Sequence, residues 1–114
     1  MLRFCAQGDL LIERAGDAPV SGVVLGSAEA DAVVVAEGEF TGHHHKLFGC
    51  VTFYRDDALA RDIPGDLYVG HVRVSGPVAR LEHEEHAAIN LEQGTYRVRR
   101  QRQLEPTDVG IAGD

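Results

Sequence analysis

The 114-residue sequence predicts an all-β fold: a single small antiparallel sandwich, jelly roll or barrel with at most one short helix. Three observations carry this. Thirteen glycines and four prolines punctuate short apolar segments, no long stretch repeats its apolar residues at helical spacing, and seven such segments succeed one another between turn formers.

In chain order, Leu10-Leu11-Ile12-Glu13 reads as a strand, ended by the turn-rich Arg14-Ala15-Gly16-Asp17-Ala18-Pro19. Val20 to Leu25 and Ala32 to Phe40 are the next two, separated by Gly26-Ser27-Ala28-Glu29-Ala30-Asp31. His45 to Tyr54 follows. The acidic start and the Asp62-Ile63-Pro64-Gly65 stop around Asp56-Asp57-Ala58-Leu59-Ala60-Arg61 suit one short helix or an irregular loop. Gly76-Pro77 divides Leu67 to Val74 from Val78 to His83 as a hairpin, because proline cannot donate to a sheet ladder. Thr95 to Gln103 is the last strand. Residues 1–104 thus form one β-rich domain, and residues 105–114, with turn formers and no apolar periodicity, are expected to be a mobile tail.

Eighteen acids against eleven bases give a formal net charge of −7, which disfavours general attraction to nucleic acid. The last 24 residues balance four acids against four bases, so the whole excess lies earlier in the chain. No apolar run is long enough to span a bilayer, and the opening residues lack the pattern of a secretory signal; a cytoplasmic protein that does not enter membranes is expected. Cys5 and Cys50 are not in a C-x-x-C pair, and reduced thiols are expected.

Histidine is the informative residue. Five of the six lie in two knots, His43-His44-His45 and His83-Glu84-Glu85-His86. Residues at i and i+2 of a strand share a face, so His43 and His45 can act together, with His44 as bystander. Ala79, Leu81 and His83 alternate with Arg80 and Glu82, which turns His83 inward. A turn after His83 would return His86 beside it. Imidazole is a common ligand of divalent transition metals, so His43, His45, His83 and His86 are the candidate metal ligands. A carboxylate from Glu39, Glu84 or Glu85 is a possible substitute for one imidazole, and an open position would leave Glu84 or Glu85 to act as a catalytic base. The plainer reading of the same residues is a solvated, glycine-flanked loop facing a charged hairpin end. His71 is read as a lone core or surface histidine.

Gln7 to Ile12, Val33 to His45, Leu81 to Ile89 and Gly94 to Arg102 together resemble a family of uncharacterised small proteins of bacteria and their phages, with a G-H-x-H, H-x-E-H and G-x-Y-x-V-R-R-Q-R pattern. The resemblance implies that His43, His45, His83 and His86 are signature positions, and it brings no activity. A looser similarity to cupins rests on Gly38 with His43-His44-His45 and on Gln93-Gly94. No glutamate follows His45 within four residues and no histidine follows Gly94, so a cupin metal site does not transfer.

Arg97, Arg99, Arg100 and Arg102 form a basic strip that can pair with the protein's own glutamates or with a neighbouring subunit, making a homo-oligomer through Arg97 to Arg102 one expected partner. Three functions follow. The first is a metal-binding β-domain without assigned turnover, its ion zinc foremost, with nickel, iron and copper compatible. The second is a small cupin-like oxygenase or hydrolase, and the third a metal-free oligomeric assembly protein of phage or cellular type.

Overall fold

In a computed structural model, residues 4–29, 31–37 and 43–101 are described; Glu39, Arg102 and the tail expected at 105–114 lie outside them. Eight strands make up the fold: β1 (Phe4–Gln7), β2 (Leu10–Arg14), β3 (Val23–Ala28), β4 (Ala32–Glu37), β5 (His44–Phe48), β6 (Val51–Arg55), β7 (Tyr68–Glu82) and β8 (Ile89–Arg100). All pair antiparallel in one sheet, confirming the all-β expectation. The expected helix is a single 3₁₀ turn, Asp57–Leu59, capped by the Asp56 carboxylate accepting from the Ala58 amide at 3.1 Å.

The sheet is open and forked. β1, β2, β8 and β7 lie side by side, and the far edge of β7 is then shared: residues 71–74 pair with β6, and residues 80–82 with β5. β6 carries β3 and β5 carries β4, so two two-stranded arms leave one long strand. Leu10 and Ile12 of β2, Leu47 of β5, Val72 and Leu81 of β7, and Val98 of β8 meet in one core, each at most 2% exposed. Burying side chains of this size contributes about 1.5–3 kcal/mol each. Alternate residues face away from it, as the period of two requires.

Several boundaries differ from the sequence expectation. Gly76-Pro77 does not divide a hairpin; β7 runs through it. Between Val74 and Val78 the strand holds three residues where β8 holds one between Gly94 and Glu92, so Ser75, Gly76 and Pro77 form a bulge. Pro77 lies where the far edge of β7 passes from β6 to β5, and its missing N–H therefore breaks no ladder bond. Gln93 donates to the Ser75 carbonyl at 2.8 Å, and the Ser75 amide to the Cys50 carbonyl at 2.9 Å, fixing the bulge. The segment from His45 to Tyr54 is two strands rather than one, turned by Gly49 (φ 128) and Cys50. β3 begins at Val23 instead of Val20, and β8 at Ile89 instead of Thr95. β1 was not expected at all: Phe-Cys-Ala-Gln has no run of large apolar residues, and tertiary pairing with β2 makes it a strand.

Candidate functional site

The register between β5 and β7 builds the site. Lys46 pairs with Glu82 and Leu47 with Leu81. Continued past the strand ends, the same register sets His45 opposite His83, His44 opposite Glu84 and His43 opposite Glu85. The contacts follow it. The His45 and His83 rings lie 4.4 Å apart between centroids, the His44 amide donates to the Glu84 carboxylate at 3.0 Å, and His43 Nδ1 lies 3.2 Å from Glu85 Oε1. His43 also meets His83 edge-on at 5.6 Å. The bend after His83 brings the exposed His86 to 4.6 Å from the His83 ring. Two sequence knots thus form one group of four imidazoles, and His83 points inward as the alternation expects.

His45 is fully buried and is held by a residue that the sequence did not single out, Gln7. The Gln7 amide donates to the Leu81 carbonyl at 3.0 Å and to the Ala87 carbonyl at 2.9 Å, which uses both its hydrogens. Its oxygen therefore faces His45 Nδ1, at 2.8 Å, and Nδ1 must be the donor. In the neutral ring the lone pair then belongs to Nε2, which lies 3.9 Å from Asp9 Oδ1. Asp9 is oriented in turn by Arg100, whose guanidinium also donates to the Glu37 carbonyl at 2.8 Å. Asp9 follows Gly8 (φ 60) in the two-residue turn between β1 and β2, a left-handed position that favours glycine. The only sequence signal for these residues was Gln7-Gly8-Asp9 within the resemblance.

His83 has the opposite tautomer. Its Nδ1 accepts from the Glu85 amide at 3.0 Å, which leaves the proton of the neutral ring on Nε2. The rings stand tilted or edge-on to one another, and among the described residues no group of three or more His, Cys, Asp or Glu side chains is arranged to hold a metal ion. Loading an ion therefore requires side-chain rotation, foremost release of His83 from the Glu85 amide.

The His44 amide holds the Glu84 carboxyl below the usual glutamate range, which weakens it as a base. Glu85 is more than half exposed beside His43. His44 turns to Glu37, 3.7 Å away, on the other side from His45. His71 belongs to a different face, beside Tyr54 and Arg97. Arg97, Arg99 and Arg100 of the arginine strip lie on β8, an interior strand between β2 and β7. Arg97 donates to Glu13 at 2.9 Å and to Asp62 at 2.7 Å, so it pairs with the chain's own carboxylates. Cys5 and Cys50 are free thiols. No helix among the described residues is long and apolar enough to cross a membrane.

A forked antiparallel sheet with a half-buried imidazole group at one end of β7 defines the class, a small all-β domain. The chain belongs to the family described as a domain of unknown function, DUF8820, which matches residues 6–101 and so takes in Gln7, Asp9 and all four histidines. This agrees with the uncharacterised family that the resemblance implied. No curated protein and no solved structure matches the chain.

Proposed function

We propose that the domain binds a divalent transition metal ion through His43, His45, His83 and His86, without assigned turnover. The observation that carries the reading is the gathering of His43, His45 and His86 around His83, from two distant segments, with the buried His45 held in one tautomer by Gln7. A ligating histidine commonly donates its other ring N–H to a protein acceptor, which orients the ring and raises its basicity; the Gln7 oxygen does this for His45. All-nitrogen ligation suits zinc foremost, with nickel, iron and copper compatible. Asp9 supplies a carboxylate near His45 Nε2, the ring nitrogen opposite the one Gln7 holds, where it offsets the ion's charge. The His44 amide, by lowering the Glu84 carboxyl pKa, disfavours Glu84 as a base.

Elemental analysis of protein purified without a metal-affinity column tests this, with a His43→Ala, His83→Ala double variant beside it. Near-stoichiometric metal in the native chain and none in the variant is expected. Added zinc should stabilise the metal-free protein, by about 2.7 kcal/mol at a hundredfold excess over its dissociation constant. No bound metal, together with no stabilisation by zinc, nickel, iron or copper, overturns the reading.

A further inference from the structure

β3 is an edge strand. It pairs with β6 on one side, and no strand among the described residues pairs with the other, which presents backbone N–H and C=O groups to solvent. Val23, Val24 and Leu25 succeed one another on β3, each more than half exposed. Among the described residues, every other strand has at most one exposed large apolar side chain. The other edge strands, β1 and β4, are better covered. On β4, Val33, Val35 and Ala36 are buried and the Glu37 carbonyl accepts from Arg100 at 2.8 Å. On β1, Gln7 is buried against His45.

Edge strands are ordinarily guarded against further pairing by a charged side chain, a proline or a bulge that turns the edge away. The six residues of β3, Val-Val-Leu-Gly-Ser-Ala, include neither charge nor proline, in a chain of which 25% is charged. Its bulge lies between Val24 and Gly26 and leaves Leu25 with no β6 residue opposite, so it projects an apolar side chain. The strand is also divided by size, with three large residues followed by three small ones.

We propose that a second copy of the chain pairs with this edge, antiparallel, about a two-fold axis between Leu25 and Gly26. That axis sets Val23 opposite the partner's Ala28, Val24 opposite the partner's Ser27 and Leu25 opposite the partner's Gly26. Each large side chain therefore meets a small one, the self-complementarity that a two-fold contact requires. The faces agree as well: Val24 and Ser27 lie opposite Tyr54 and Thr52 on one face of β6, and Val23 and Ala28 opposite Arg55 and Val51 on the other. Charge permits the approach, although two chains of −7 repel overall. Glu29, the charged residue nearest to β3 in sequence, falls opposite the partner's Gly22. The two Glu29 residues are then about 24 Å apart along the ladder, well beyond the ~8 Å screening length at physiological salt. One short strand pairing is small beside the roughly 1,200–2,000 Å² that stable interfaces bury, so this dimer dissociates on dilution. β8, whose arginines the sequence offers to a neighbouring subunit, is paired on both sides and has no free edge.

The test is analytical ultracentrifugation of the full chain over a dilution series, with EDTA present so that no metal bridges exposed histidines of two copies. A monomer–dimer equilibrium is expected. Val24→Lys puts a cation at an exposed position of β3 and removes nothing from the core, and it should raise the dimer dissociation constant about tenfold. An equimolar mixture of Val24→Lys and Ser27→Glu chains should dimerise more tightly than either variant alone, because the introduced lysine then faces the introduced carboxylate across the axis. A chain that is monomeric throughout, a dimer that Val24→Lys leaves unchanged, or a mixture no tighter than its components would each overturn the proposal. None of these readings depends on whether the histidines hold a metal.

Discussion

The Gln7 side-chain oxygen accepts from Nδ1 of His45 at 2.8 Å, and this one contact links the first strand to the buried histidine of the fifth. Because the Gln7 amide hydrogens are both used on the Leu81 and Ala87 carbonyls, the contact has a direction, and so the His45 ring has a single neutral tautomer.

Gln7→Leu should therefore affect folding and binding together. It leaves two carbonyls and one imidazole N–H without their partner, a loss of about 2–4 kcal/mol in unfolding free energy. Zinc affinity should fall about 10–100-fold, as for other losses of an orienting acceptor. Urea denaturation and zinc titration with a competing chelator measure the two effects.

Replacing two of the histidines separates packing from ligation. His45 is fully buried, and His45→Ala should cost about 2–4 kcal/mol through a cavity and an orphaned Gln7. His86 is exposed, so His86→Ala should change metal-free stability by less than about 0.5 kcal/mol. Both should weaken zinc binding. A His86→Ala variant that binds zinc as tightly as the native chain would remove His86 from the ligand set.

On β7, Gly70 sits where the register with β8 shifts, and a Cβ there would come within 2.7 Å of the Phe53 ring and 2.8 Å of the Tyr54 carbonyl. Gly70→Ala should destabilise by about 1–3 kcal/mol. Gly65 has open space around its Cβ position, and Gly65→Ala should be neutral or stabilise by up to about 1 kcal/mol. Thermal melts of the pair distinguish crowding from a general cost of losing glycine.

His71 makes stability depend on pH. Its folded pKa lies below the ordinary 6.5, through burial first and then the Arg97 charge, against opposing pulls from Asp56 and Glu13. The unfolded chain thus binds a proton more readily than the folded one, so stability is present above about pH 6.5 and falls as the pH drops through that value toward the folded pKa. The His71 ring should titrate below 6.5 by NMR, and His71→Gln should flatten the fall in unfolding free energy on that side.

Much of this molecule was legible in one dimension. Alternation of Ala79, Leu81 and His83 against Arg80 and Glu82 identified the inward face of a strand, and that face is buried in the structure. The spacing of His43 and His45 put them on one side, with His44 turned away. Such readings succeed because the period of two is a local property of extended backbone.

Pairing decided the rest. Nothing local distinguishes a turn at Gly76-Pro77 from a bulge; the choice depends on β8 continuing beside it and on β5 and β6 dividing the other edge. Gln7 could not be recognised as the partner of His45, since their contact exists only after β2, β8 and β7 have assembled between β1 and β5 in the sheet. His71 looked like an isolated histidine because Tyr54 and Arg97 become its neighbours through strand register, and strand register arises from long-range burial of one face. The sequence by itself determined which residues face inward along each strand. Only the tertiary structure decided which strands meet, and hence which polar side chains share a site, because hydrogen-bonded partners in a sheet are chosen by the chain as a whole.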